Sequence, residues 1–272
     1  MSKVILREVL AEHWSADNAL EKVRATEGFV AKAKDNRRVV RFELADQVLY
    51  LKHHVGVGWK EIFKNFLQLK MPVLGAVNEW QAIEKLKDLN VNTMQAIGFG
   101  QYGHNPAQQE SFLVTKELAN TISLEELCGD WLQNPPSYSL RKALVEQVAY
   151  IARQLHDNGL NHRDFYLCHL LLDISQGRDN IDPANLCIYL VDLHRMQLRE
   201  KVPARWVVKD VGSIYFSALD CGLTRRDAVR FMRCYRDTPV SRMVHEDFWQ
   251  AVKRRAISLY QRDFKKTPSL PL

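Results

Sequence analysis

Asn161-His162-Arg163-Asp164, followed through Cys168-His169 by Leu170-Leu171-Leu172, sets a charged loop directly ahead of an apolar run. Upstream, residues 140–158 carry apolar side chains at helical spacing (Leu144, Val148, Ile151, Leu155), which predicts an amphipathic helix. Gly159 then serves as its C-cap. Downstream, HLLLDI (169–174) and CIYLVDL (187–193) read as short strands bracketing a turn. The order is therefore helix, polar loop, strand, turn, strand. A bare His-Arg-Asp tripeptide arises by chance and carries little. Between such a helix and such a strand it carries more.

Further from the loop, the first part of the chain is strand-rich. VAKAK, RVVRFEL and VLYLKHH, separated by Asp35-Asn36-Arg37 and Ala45-Asp46-Gln47, predict a three-stranded antiparallel meander. Residues 59–70 switch to a helical period with Trp59, Ile62, Phe63, Phe66 and Leu67 on one face and lysines elsewhere. They read as a packed helix, or as a basic amphipathic helix lying on a membrane. Residues 78–89 are a second helix, with Trp80, Ile83, Leu86 and Leu89 on one side, and residues 95–100 and 111–118 are strands again. Beyond Asp210 everything reads helical. The expected fold is α+β and bilobal: a small β-rich lobe over 1–118, a hinge near 115–119, and a larger helical lobe over 119–272. A cleft between lobes is the usual place for a ligand.

Composition sets limits on function. The 272 residues are 46% apolar and 26% charged, which predicts a sizeable core and not disorder. The net charge is +6, and residues 223–267 alone hold twelve Lys/Arg against five Asp/Glu. Such a basic segment suits a phosphorylated glycan, an anionic lipid, nucleic acid or an acidic protein, or is a solvated helical surface. No nucleic-acid reading motif accompanies it. Five cysteines without a CxxC pair argue against a disulfide framework or zinc knuckle, and for a reducing compartment. Residues 1–14 lack an apolar h-region, and no run approaches the roughly 20 residues of a membrane span. The expectation is a cytoplasmic protein that at most touches a membrane from the inside.

The loop's chemistry is that of phosphoryl transfer, which needs a carboxylate to accept the acceptor hydroxyl's proton and to orient it. Asp164 is the candidate catalytic base, Arg163 braces the loop, and His162 packs as structure. Asp192, at the end of the strand in Leu190-Val191-Asp192, is the candidate ligand for Mg²⁺, which prefers carboxylate and phosphate oxygens. Lys52 shares a strand face with Tyr50, inside the lobe, and an inward lysine needs an anionic partner. Glu79 is that partner, and Glu84, pointing elsewhere on the helix, competes with it. Lys52 then holds the α/β-phosphates of ATP. Asp210 is read as opening the next helix and receiving loop amides, or as a simple N-cap. At the hinge, the Lys116 carbonyl and Leu118 amide are placed to meet an adenine edge, with Thr115 behind it.

NHRDFYLCHLLLD, together with LVDLHR, MPVLGAVNEWQAI and FLVTKEL, resembles the bacterial lipopolysaccharide core heptose I kinases (the WaaP, or RfaP, family) over nearly the whole chain. The resemblance implies a protein-kinase-like fold. It also implies ATP- and Mg²⁺-dependent transfer to the 4-hydroxyl of the first inner-core heptose, on the cytoplasmic side. An acyl carrier protein is a further expected partner. Two departures from the general kinase pattern stand out. His169 occupies the position where kinases place a metal-binding Asn, and it is read as a weak metal ligand, a hydrogen-bond partner of a phosphate or a brace of the loop. The G-x-G-x-x-G loop is absent, so side chains of Lys34, Arg37 or Arg38 are expected to compensate, with weaker ATP binding. Two other functions remain: a protein kinase for Tyr or Ser, and a non-catalytic pseudokinase. The short segment between Asp192 and Asp210, without an Ala-Pro-Glu tripeptide, weighs against a peptide acceptor. Retention of Lys52, Glu79, Asp164 and Asp192 weighs against a pseudokinase.

Overall fold

A computed structural model describes residues 3–34, 36–56, 58, 75–103, 105, 107–236 and 247–271. The helix expected over 59–70 and the turn residue Asp35 lie outside this set. The chain divides into two compact units, Met1–Leu86 with Met94–Leu118, and Lys87–Thr93 with Ala119–Leu272.

The first unit is built on β1 (Lys3–Leu6), β2 (Phe29–Lys34), β3 (Arg37–Leu44), β4 (Gln47–His54), β5 (Ala96–Tyr102) and β6 (Glu110–Lys116). They form one antiparallel sheet in the order β1-β5-β6-β4-β3-β2. The meander β2-β3-β4 is the one read from the sequence. Its second turn puts Ala45 and Asp46 both at positive φ (46° and 60°), as a two-residue hairpin with right-handed strand twist requires. β1 was not foreseen. Its four residues are too few to show a period, and its pairing with β5 closes one edge of the sheet.

Alternation along β4 sorts its side chains. Leu49 and Leu51 enter an apolar cluster with Leu10, Val40, Phe42, Phe112 and Val114. Trp14 caps that cluster, stacked on Phe42 at 6.3 Å and edge-on to Phe112 at 6.2 Å. Tyr50 and Lys52 do share a face, but it is the opposite one from the aliphatic core. The helix Val77–Asp88 buries Glu79, Trp80, Ile83 and Leu86, and Trp80 stacks on Phe99 of β5 at 5.1 Å.

The second unit contains the 20-residue helix Tyr138–Asp157, N-capped by the Ser137 hydroxyl, with Leu144, Val148, Ile151 and Leu155 buried as predicted. Gly159 ends it at φ 79°, where an added Cβ would lie 1.8 Å from the Arg199 carbonyl oxygen. Backbone conformation and space both therefore demand glycine. Strands Leu170–Asp173 and Ile188–Leu190 pair antiparallel, and Thr121–Ser123 adds a third. Helices Ala204–Ala218, Arg225–Arg236 and Asp247–Phe264 follow. Among the described residues no helix is long and apolar enough to cross a membrane.

Candidate active site

The loop after Gly159 is held from below by one carboxylate. Asp210, fully buried, accepts the backbone N–H of His162 at 2.6 Å and of Arg163 at 2.8 Å. The expected amide contacts are present, but Asp210 neither opens nor caps its helix. That helix starts at Ala204 behind Pro203, and Asp210 sits in its second turn. With its amide so fixed, Arg163 takes a positive φ of 74°, a costly conformation for a residue with a Cβ, tolerated where surrounding bonds impose it.

His162 is buried and donates from Nε2 to the Val191 carbonyl at 3.0 Å. Burial pushes its pKa down, so the ring is neutral. Its neighbour behaves oppositely. His169 stacks on it at 5.8 Å and donates from Nδ1 to the Asp164 carbonyl at 2.7 Å. The Cys168 side chain, then the Asp164 carbonyl and the Asp192 carboxylate, hold His169 up at about 9 against the effect of burial. Its Nε2 lies 3.5 Å from Asp192 Oδ2. Asp192 itself adopts a left-handed conformation (φ 61°, ψ 50°), and its Oδ1 accepts from His194 Nδ1 at 2.5 Å.

Asp164 has a partner the sequence reading missed. Nη1 of Arg195 donates to both of its oxygens, at 3.0 and 2.8 Å. Arg195 closes the LVDLHR string, three residues after Asp192, with no spacing signal that it returns to Asp164. The short 3₁₀ turn Leu193–Arg195 carries the arginine toward the aspartate. Arg163 does not touch the Asp164 carboxylate. Its guanidinium lies 5.1 Å from the Trp206 ring centroid.

In the first unit, Lys52 Nζ donates to Glu79 Oε1 in a pair whose side chains are 12% and 1% exposed. Glu84 is not a competitor, because it forms a forked pair with Arg7, both bonds at 2.8 Å. Of the cations expected to replace the glycine-rich loop, Arg38 is committed elsewhere, donating to the Val23 and Thr26 carbonyls at 3.0 and 3.2 Å. At the end of β6 the Lys116 amide donates to the Gln95 carbonyl at 3.0 Å, and Lys116 Nζ pairs with Glu8. Thr115 is buried, and Leu118 is the last residue of this unit.

The basic C-terminal segment is partly internal business. Arg230 pairs with buried Asp227 at 3.2 Å, and Arg236 stacks on Phe248 at 3.9 Å, while Arg225, Arg226 and Arg233 are exposed. Nearby, Leu144, Val148, Leu167, Ile214, Met232 and Trp249 line an apolar cavity of about 160 Å³.

A buried Lys–Glu pair on a five-strand-plus-one antiparallel sheet, and a His-Arg-Asp loop pinned by a helical aspartate, define a phosphotransferase of kinase-like fold. A solved structure described as WaaP in complex with acyl carrier protein superposes with a TM-score of 0.82, at 37% identity, over 95% of this chain and 99% of that one. The lipopolysaccharide core heptose(I) kinase WaaP of Escherichia coli K12 is 45% identical over 242 residues, covering 89% of this chain and 90% of that protein. The Pseudomonas aeruginosa protein of the same name is 41% identical over 96% of this chain and 97% of its own length. The model of the lipopolysaccharide kinase (Kdo/WaaP) family matches residues 21–235, and the chain belongs to that family.

Proposed function

We propose that this chain transfers the γ-phosphoryl group of ATP to the 4-hydroxyl of the first heptose of the lipopolysaccharide inner core. The observation that carries the reading is the Asp164 loop: its amides are fixed by Asp210 and its carboxylate is aimed by Arg195. Asp164 receives the hydroxyl proton and orients the attacking oxygen. Holding the acceptor oxygen in line suits a loose transition state where positioning dominates. Lys52, kept in place by Glu79, neutralises the α/β-phosphates. The Lys116 carbonyl and Leu118 amide read the adenine edge. Arg163 serves the loop through its backbone.

Mg²⁺ is the metal this chemistry calls for, and the donors suit it. Mg²⁺ binds through one or two carboxylates plus substrate phosphates and waters, so the Asp192 carboxylate suffices without a three-ligand protein cage, of which the described residues hold none. Bound there, the ion would offset phosphate charge. His169 meets one requirement of a metal-ligating histidine, since its Nδ1 already donates to a carbonyl. A metal at Nε2 must displace the proton that its raised pKa retains.

The glycolipid acceptor places the protein on the cytoplasmic face of the inner membrane, held peripherally. An acyl carrier protein is the protein partner proposed, after the solved WaaP complex. Exposed Arg225, Arg226 and Arg233 suit an acidic partner, and the apolar cavity suits the acyl group such a carrier presents. The test is transfer from labelled ATP to purified inner-core glycolipid, with a Tyr/Ser peptide mixture in parallel. Label in the glycolipid alone is expected. Label confined to peptide, or absent from both, contradicts the reading.

A further inference from the structure

Around Trp206 the second unit gathers donors that no protein acceptor takes. The Trp206 Nε1 and the Arg163 Nε are both buried, and neither has a hydrogen-bond partner. The Arg163 guanidinium lies 5.1 Å, the Lys209 ammonium 5.3 Å and the Arg205 guanidinium 5.5 Å from the same indole centroid. Among the described residues neither Arg163 nor Lys209 forms an ion pair, although both are partly buried. The carboxylates whose charge reaches them, Asp164 and Asp210, are already engaged, one by Arg195 and the other by the loop amides. Partly buried cations are ordinarily paired, and buried donors are ordinarily satisfied. An aromatic face attracts such cations but accepts no hydrogen bond from a second donor at its edge. The missing component is an oxyanion.

Where that oxyanion belongs follows from the neighbours. Arg163 adjoins Asp164 in the chain, and the charges of Asp164 and Asp210 act on both Arg163 and Lys209. The cluster therefore stands beside the candidate base. ATP phosphates are served by Lys52 and Asp192, so the acceptor is the substrate left to supply the anion.

We propose that Arg163, Trp206 and Lys209 form an oxyanion subsite that grips a carboxylate or phosphate carried by the acceptor glycolipid close to the hydroxyl to be phosphorylated. This rests on the lipopolysaccharide-kinase reading and adds to it how the acceptor is recognised. The three groups supply what an oxyanion needs: a guanidinium N–H, an indole N–H and a point charge.

The experiment compares wild type, Lys209→Gln and Lys209→Arg on three acceptors: intact glycolipid, glycolipid methyl-esterified at its carboxylates, and glycolipid treated with phosphatase. In the wild type, one of the two stripped acceptors should raise the acceptor KM about tenfold, the worth of one charge-assisted contact. Lys209→Gln should raise the KM for intact acceptor by a similar factor and leave the ATP KM unchanged. It should show no further rise with that stripped acceptor, and Lys209→Arg should keep most of the affinity. The stripped group that removes the difference identifies the oxyanion. The proposal is overturned if Lys209→Gln binds intact acceptor as the wild type does, or if its KM rises by one factor for all three acceptors. A wild type that phosphorylates no glycolipid refutes the parent reading and not merely the subsite.

Discussion

At the residue scale, Arg195 ties the candidate base to the segment that carries the candidate metal ligand, since Asp192 and Arg195 stand three residues apart. Arg195→Gln removes a charge-assisted hydrogen bond, worth about 1.5–3 kcal/mol, and leaves Lys52 untouched. The expected result is a kcat lower by roughly 10- to 100-fold with the ATP KM little changed, read from steady-state kinetics. A second residue-scale consequence is pH dependence. His162 is held down by burial, so the unfolded chain binds more protons than the folded one near its ordinary pKa. Stability is then present above about pH 6.5 and is lost as pH falls below it. His53, also held down chiefly by burial, adds to the same trend in the first unit. The melting temperature should fall between about pH 6.5 and 5, and His162→Gln should flatten that slope; parallel profiles would show that another group titrates. Legibility at this scale was uneven. Lys52, Glu79 and the Asp210 amide contacts could be read because each follows from a strand period, an inward charge or a known loop pattern. Arg195 was not, because nothing in local spacing says that a 3₁₀ turn will bring it back to Asp164. Lys209 and Trp206 were given no role, since an unpaired cation is visible only once every partner has a position.

At the element scale, the long helix and the loop after it depend on one glycine. Gly159 needs positive φ and lies against the Arg199 carbonyl. Gly159→Ala should cost more than about 2 kcal/mol by urea unfolding, from left-handed strain plus the displaced strand Gln197–Leu198 that pairs with Leu160–Asn161. An unchanged midpoint would mean that the chain relaxes there. Asp210→Asn presents an amide N–H₂ in place of one acceptor oxygen, and loss of about 3 kcal/mol or of soluble protein is expected. The meander, the helix over 78–89 and the two strands over 169–174 and 187–193 were legible because period and turn residues agree. Asp210's place within its helix was misread because the start signal, Pro203, lies seven residues ahead of it and Trp206-Val207-Val208 alone shows no helical period. Lys52 does point into the lobe, 12% exposed against buried Glu79, but one strand cannot reveal that its face is the one opposite the aliphatic cluster.

At the scale of the whole molecule, the family assignment rests on relatives that match almost end to end, 41% identical over 97% of the Pseudomonas aeruginosa protein. Exposed arginines on the C-terminal helices should make capture of an acidic acyl carrier protein salt-sensitive, with retention falling as ionic strength rises to about 0.5 M, where the Debye length drops well below 10 Å. Retention indifferent to salt would place that contact on apolar surface instead. The central claim is that Asp164 performs the transfer. Its direct test is the single-turnover rate from ATP to inner-core glycolipid for wild type and Asp164→Ala, with ATP binding and melting temperature measured on both. A variant that folds and binds ATP but transfers at least about a thousandfold more slowly is the expected result. A folded variant within a few-fold of wild type would contradict the account.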